Sequence, residues 1–190
     1  MLENVFTDQE LDLVWKEIDF LHPNFVSGET TSPAFDTNTG EVLKKNKGLF
    51  LYDIYTDPSY SNIINYTNSK LYGNKYLAEQ WKIPWMKESF LSVNWDAALI
   101  SYYENSDYYK PHHDTANFTS LIWIWKEPKS FEGGDFFLDN HSHEIKVKNN
   151  CGIVFLSAEK HSVSSVKMTK KTFENYGRYC ISSFCGIGMK

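Results

Sequence analysis

The residues best suited to chemistry lie in one short stretch, Tyr103-Glu104-Asn105-Ser106-Asp107-Tyr108-Tyr109-Lys110-Pro111-His112-His113-Asp114, which follows a β-prone run and ends in a His-x-Asp triplet. In extended chain, residues two apart point to the same side, so His112 and Asp114 can converge on one ion while His113 faces away. Two histidines and one carboxylate form the facial set that holds iron(II) and leaves coordination positions open, so a second histidine is needed. His161 is the candidate. It opens the β-prone run His161-Ser162-Val163-Ser164-Ser165-Val166, just after the apolar Ile153-Val154-Phe155-Leu156. An antiparallel return would bring it beside the first pair at little loop cost.

An open iron site does not by itself choose a cosubstrate. A dicarboxylate that chelates through a keto-acid end leaves a distal carboxylate in need of a fixed cation. A guanidinium meets that carboxylate through two parallel hydrogen bonds, which an ammonium cannot reproduce. Of the 19 lysines and arginines in the chain, only Arg178 is an arginine, and it opens the strand-like segment running to Phe184.

The elements that must position these groups can be traced along the chain. Thr7 three residues before Glu10 is a capping pattern, and Leu11, Val14, Trp15, Ile18 and Leu21 follow at helical spacing, which predicts an amphipathic helix over 7–21. From Pro23 to Gly48 the chain is polar and without apolar periodicity, a long loop or irregular hairpin and a candidate lid. A β-prone run follows over 49–55, then a helical region over 60–80 interrupted near Gly73. After Pro84 come short apolar or alternating runs at 90–95, 97–104, 118–126, 134–138, 144–148, 151–156, 161–166 and 178–185, the pattern of an antiparallel double sheet or barrel.

Composition bounds the rest. A chain of 190 residues with 42% hydrophobic content can fill the core of one domain, 1–190, with 1–90 as helical support and lid and 91–187 as the β core. A net charge of -5 argues against a broad grip on nucleic acid or an anionic membrane. The acidic N-terminal stretch lacks the features of a signal peptide, and no stretch approaches a membrane span, so a cytoplasmic location is expected. Cys151, Cys180 and Cys185 fit buried thiols in a reducing compartment.

The spacing of Tyr103, Ser106, Tyr109, His112 and Asp114 resembles the Tyr, Gly, Tyr, His, Asp signature of the prolyl 4-hydroxylase branch of the iron(II)/2-oxoglutarate dioxygenases. Downstream, Phe131-Glu132-Gly133-Gly134-Asp135-Phe136 resembles that branch's Gly-Gly-Glu turn. Val154-Phe155-Leu156 resembles its strand before the second histidine, and Arg178-Tyr179-Cys180-Ile181-Ser182 its cosubstrate strand. The similarity covers residues 97 to 185 in the correct order. It departs at Ser106, where the branch has glycine, and in a longer interval from His161 to Arg178, where Lys167–Tyr176 reads as an inserted hairpin.

The resemblance implies an α+β, mainly β fold: a double-stranded β-helix, or jelly roll, with N-terminal helices packed on its larger sheet. It implies iron(II) on His112, Asp114 and His161, 2-oxoglutarate anchored by Arg178, Tyr103 near the cosubstrate and Tyr109 near the substrate mouth. The expected activity is O₂-dependent hydroxylation, with succinate and CO₂ as coproducts and ascorbate as an available reductant. A prolyl residue in a peptide or protein is the leading substrate, with a free amino acid or small metabolite behind it.

Competing readings are weighed on their own residues. Lys170 or Lys171 could replace Arg178 as the carboxylate anchor. His141 and His143 have a metal-like spacing but fall in a predicted turn. Trp123, Trp125, Phe136, Phe137, Tyr102 and Tyr103 could form a stacking platform, though such residues more often fill a core. Lysines 160, 167, 170 and 171 form a basic cluster that reads as a solvated hairpin. A jelly-roll binding module without catalysis, a nucleic-acid demethylase and a cupin-type isomerase are the rival functions.

Overall fold

The structure is a computed structural model and describes residues 1–31, 35–36, 38–72, 74–138, 142–169 and 175–188. In chain order the elements are β1 (Leu2–Glu3), α1 (Asp8–Leu21), β2 (Val26–Ser27), β3 (Lys44–Lys45), β4 (Lys47–Phe50), α2 (Asn62–Leu71), α3 (Lys75–Glu79), α4 (Pro84–Leu91), β5 (Trp95–Tyr103), β6 (Tyr108–His112), β7 (Phe118–Ile124), β8 (Phe131–Gly133), β9 (Phe136–Leu138), β10 (His143–Ile145), β11 (Cys151–Leu156), β12 (His161–Val163), β13 (Val166–Met168) and β14 (Arg178–Gly186).

Two antiparallel sheets carry the fold. The larger runs β1-β11-β7-β14-β5-β4-β2, the smaller β10-β9-β12-β6-β3, and β8 pairs with β13 apart from both. This is the antiparallel double sheet that the sequence pattern predicts and the mainly β jelly roll that the resemblance implies. Central strands of the larger sheet are buried on both faces, so they read as apolar runs whose alternate residues serve two different cores. Ile100, Tyr102, Ile122, Tyr179 and Ile181 pack outward against Val14, Ile18 and Leu21 of α1. Tyr103, Leu121, Trp123 and Cys180 point inward against Phe136, Phe155 and Val163.

The capping box forms as the sequence predicts: Thr7 accepts from the Glu10 amide, and Glu10 accepts from the Thr7 amide. On the buried side of α1, Glu17 accepts from Ser61 Oγ at 2.6 Å and from the Ile63 amide at 3.1 Å, so it caps the start of α2 and fixes one helix against the next.

The structure departs from the sequence pattern in four places. The apolar run at 90–95 is not a strand: Pro84 opens helix α4, and Phe90 packs into a core with Leu71 and Phe118. Pro at the first helical position has its ring torsion preset and no amide to satisfy. The polar 23–48 segment is not simply a loop, because β2, β3 and the first residues of β4 add strands to both sheets. The 161–166 run splits at Ser164-Ser165 into β12 and β13, which serve different sheets. The 49–55 run is a strand only to Phe50, continuing as a 3-10 turn over Leu51–Asp53. Gly73, His141 and residues 170–174 of the predicted 167–176 hairpin, Lys170 and Lys171 among them, lie outside the described residues.

Candidate metal centre and its cavity

The three predicted ligands meet in space. His112 ends β6 and His161 opens β12, and the register of the two strands sets them directly opposite each other. Asp114 follows the end of β6, its amide donating to Ser157 O at 3.0 Å. The candidate ligand atoms of the three side chains all lie within 4.8 Å of one another, and among the described residues this is the group with metal-holding geometry. His112 Nε2 is 3.8 Å from Asp114 Oδ1, and His161 Nε2 is 3.4 Å from Asp114 Oδ2.

The surroundings aim the lone pairs. Nδ1 of His112 lies 2.9 Å from Lys110 O, and Nδ1 of His161 lies 2.9 Å from Glu159 O. A carbonyl can only accept, so Nδ1 carries the proton and Nε2 presents its lone pair toward Asp114. Burial pushes both imidazoles down, His112 to about 2, with the neighbouring His161 adding to the effect. Burial pushes the Asp114 carboxyl up, opposed by His161 and by Thr119 Oγ1, which donates to Asp114 Oδ2 at 2.6 Å. Two neutral imidazoles and a confined carboxylate form a donor set suited to a divalent cation. His113 turns away as expected, its Nδ1 2.8 Å from Ala158 O and its side chain exposed.

Arg178 lines the same cavity from the larger sheet. Its side chain is 0% exposed, its guanidinium lies 5.0 Å from the centre of the Tyr103 ring, and Nε, Nη1 and Nη2 have no hydrogen-bond partner among the described residues. A buried, permanently charged fork with its donors unmet is costly unless a ligand meets them. A carboxylate is the matching shape. The room for this side chain comes from the glycine turn: Gly134 has φ +69°, and a Cβ there would stand 2.6 Å from Arg178 Cδ. Its neighbour Gly133 has φ +70°, and a Cβ would stand 2.3 Å from Ser165 O. The Gly-Gly motif is therefore a clearance for the arginine and for the chain leaving β12.

Tyr103 is buried beside Arg178, and burial pushes its phenol up. Tyr109 stacks on His112 with ring centres 3.4 Å apart and planes 10° from parallel. It lines both the metal cavity and an adjoining groove of about 440 Å³, whose walls include Phe50, Trp95, Phe184 and Asp114. That volume lies within the range of small-molecule sites.

Two residues that contribute to the site escape a reading of the sequence. Lys44 is buried on β3, donates to Thr31 Oγ1 at 3.0 Å and lies 5.1 Å over the Tyr109 ring; burial pushes its ammonium down to about 8. In Lys44-Lys45-Asn46-Lys47 nothing but strand alternation separates the inward lysine from its outward neighbours, and the strand is only two residues long. Thr119 is the hydroxyl that braces Asp114, and its sole sequence signal is a polar residue near the start of an apolar strand.

Of the competing site readings, Trp123, Trp125, Phe136, Tyr102 and Tyr103 are buried core, with Phe137 partly exposed. His143 is exposed on β10, its Nδ1 2.9 Å from Ser142 Oγ, and does not belong to the metal-competent group.

Comparison with solved structures places this architecture. A prolyl-4-hydroxylase from Pseudomonas putida superposes with a TM-score of 0.61 at 12% identity, covering 98% of this chain and 91% of that one. The viral collagen prolyl hydroxylase of Paramecium Bursaria Chlorella virus-1 gives 0.57 at 12% identity, with 98% and 94% covered. A 2OG-Fe(II) oxygenase family protein from Burkholderia pseudomallei gives 0.53 at 14% identity, with 97% and 82% covered. No family model matches the sequence, and no curated protein matches it. The chain therefore has the fold of the 2-oxoglutarate/iron(II) oxygenases. Within that class, the fold is shared with prolyl 4-hydroxylases from a bacterium and a virus. No described helix is long and apolar enough to cross a membrane.

Proposed function

We propose that the protein is an iron(II)- and 2-oxoglutarate-dependent hydroxylase. The observation that carries this is the buried guanidinium of Arg178, its three nitrogens without a hydrogen-bond partner among the described residues, in the same cavity as the His112, Asp114 and His161 group. His112 and His161 would hold iron through Nε2 and Asp114 through a carboxylate oxygen, with Thr119 keeping that carboxylate oriented. Arg178 would grip the far carboxylate of 2-oxoglutarate, with the Tyr103 ring as the wall along which it lies. When bound, iron and 2-oxoglutarate supply O₂ activation coupled to oxidative decarboxylation, with hydroxylated substrate, succinate and CO₂ as products. The chain's own part is to hold the donors in place, exclude water with Leu121, Phe136 and Val163, and admit substrate past Tyr109. Ascorbate would serve as a reductant outside the productive cycle.

Prolyl residues of a peptide or protein are the substrate class favoured by the shared fold and by the 103–114 signature. The reading treats residues 1–190 as one oxygenase domain, with 91–187 as its core and 1–90 as support. The test is anaerobic titration of 2-oxoglutarate into iron(II)-loaded protein, followed through the visible absorption band of the chelate, with Arg178→Ala as control. A band in the parent that needs far more 2-oxoglutarate in the variant is the expected result. Absence of a band with iron bound would return the fold to a metal-binding or non-catalytic role.

A further inference from the structure

Two neighbouring strands of the larger sheet form the floor under both the metal cavity and the groove beside it. On β5, alternate residues share that face: Leu99, Ser101 and Tyr103 line the metal cavity, and Trp95 and Ala97 line the groove. On β14, Arg178, Cys180 and Ser182 line the cavity, and Phe184 lines both spaces. The strands pair with Arg178 opposite Tyr103, Phe184 opposite Ala97 and Gly186 opposite Trp95. The floor therefore grades from a cation and hydroxyls at one end to alanine and aromatic surface at the other. Phe184 marks the junction, and Trp95 lies two residues beyond Ala97, about 7 Å further along the strand.

Trp95 is 43% exposed, and of the described exposed large apolar side chains it is the one that lines the groove. Its ring has a built seat. A Cβ on Gly186 would stand 2.6 Å from Trp95 Cζ2, and one on Gly188 would stand 3.0 Å from Trp95 Cδ1, so both glycines clear space for the indole. Side chains pin the segment that carries them: Asn94 accepts from the Gly188 amide at 2.8 Å and donates to Gly188 O at 3.0 Å, and Asn117 accepts from the Ile187 amide at 3.1 Å. A ring already held in place loses little freedom when a ligand covers it. Apart from Asp114 of the metal centre and His113, the described groove lining is uncharged, so a charged occupant would lose water there without gaining a partner.

We propose that Trp95 determines substrate specificity by receiving an uncharged aromatic ring of the substrate, with Phe50 and Phe184 as the other walls of the subsite. This rests on the hydroxylase reading above and deepens it: a peptide substrate carries an aromatic side chain next to the residue that is hydroxylated. Consecutive Cα atoms stand about 3.8 Å apart, so a ring on the adjoining residue spans the step from the junction to Trp95.

The test uses full-length protein with iron(II) and saturating 2-oxoglutarate under anaerobic conditions. Titrants are capped tripeptides with a central proline, flanked on both sides by phenylalanine, by leucine or by glutamate; the repeated residue covers both chain directions. Calorimetry reads binding. The phenylalanine peptide should bind the parent about fivefold or more tightly than the leucine peptide, since paired rings attract beyond the burial of area alone. The glutamate peptide should bind most weakly. Trp95→Ala should erase the preference for phenylalanine over leucine, and Trp95→Phe should keep part of it. The affinity for 2-oxoglutarate should stay near the parent value in Trp95→Ala, which also shows that the variant folds with its metal cavity intact. With manganese(II) in place of iron, the ring protons of the phenylalanine peptide should relax faster than with zinc(II), because unpaired electrons act at short range.

Four results would overturn the assignment: no preference for phenylalanine over leucine in the parent, including no binding of any tripeptide; a preference that survives Trp95→Ala; a loss of 2-oxoglutarate affinity in Trp95→Ala alongside the lost preference, which would make the indole a structural support; or ring protons that relax alike with manganese(II) and zinc(II), which would place the ring elsewhere. A parent that binds no 2-oxoglutarate at all would instead sink the hydroxylase reading, a separate outcome.

Discussion

The two ends of the cavity are built on opposite principles. At the metal end the polar groups are braced: both Nδ1 atoms meet backbone carbonyls, and Asp114 accepts from Thr119. At the far end Arg178 is just as buried, yet its three nitrogens have no hydrogen-bond partner among the described residues. The first arrangement organises donors in advance, so that a cation finds its ligands aimed. The second leaves a charge whose cost is relieved only by a ligand of matching shape. One end is set by the protein alone, and the other is completed from outside.

Removing a donor from the braced end should give the largest effect. Asp114→Ala should weaken iron(II) binding by more than about 100-fold, since loss of even an outlying hydrogen bond to a ligand commonly costs 10–100-fold. Metal content after dialysis measures this, and iron retained at parental affinity would remove Asp114 from the ligand set.

The open end should respond in two opposite senses. Arg178→Met should lower 2-oxoglutarate affinity by about 100-fold or more, because a buried charge pair loses a partner. Without 2-oxoglutarate the same variant should melt at a higher temperature than the parent, since an unmet buried charge is replaced by an apolar side chain. A lower melting point would show that Arg178 is already satisfied in the ligand-free protein and would erase the contrast between the two ends.

Gly134→Ala probes how the open end is kept clear. A Cβ 2.6 Å from Arg178 Cδ, on backbone at φ +69°, should cost about 1–3 kcal/mol of stability and weaken 2-oxoglutarate as well, measurable by denaturant unfolding and by titration. Thr119→Val sharpens the braced end with a smaller effect, about tenfold in iron affinity. Its sign with pH follows from the carboxyl: the Thr119 hydrogen bond lowers the Asp114 carboxyl, so losing it raises the carboxyl further. The metal must then displace a proton from more of the population, and the deficit should grow as pH falls. A deficit independent of pH would leave Thr119 a packing role only.

The smallest effect is expected at Ser106. It holds φ 67°, a region where a side chain is disfavoured, in the turn that leads into β6. Ser106→Gly should relieve strain on the order of 1 kcal/mol, less the hydrogen bond it accepts from Lys45. A small rise in melting temperature or none is the expected range, and a fall would mean the Lys45 contact outweighs the strain.

Much of this was legible in the residues themselves. His112 and Asp114 could be paired because extended chain repeats every two residues, and Arg178 stood out as the chain's sole arginine. The Thr7 and Glu10 capping box, the 118–126 and 178–185 strands and the 151–156 strand are local patterns, and local physics writes them into sequence. Helix α4 was misread because Phe90, Leu91 and Val93 suit a strand as well as a helix face, and only the packing of Phe90 against Phe118 decides between them. Lys44 was hidden among lysines because nothing short of pairing between β3 and β6 tells which of them turns inward.

The sequence by itself determined the donor types, their order along the chain and the alternation that aims them, since these depend on residue identity and on backbone periodicity. Only the tertiary structure decided which distant groups share a cavity: His161 across from His112, Arg178 behind Tyr103, and Lys44 over Tyr109. Strand register and the stacking of two sheets bring together residues far apart in the chain, and that pairing is a property of the packed whole, not of any segment.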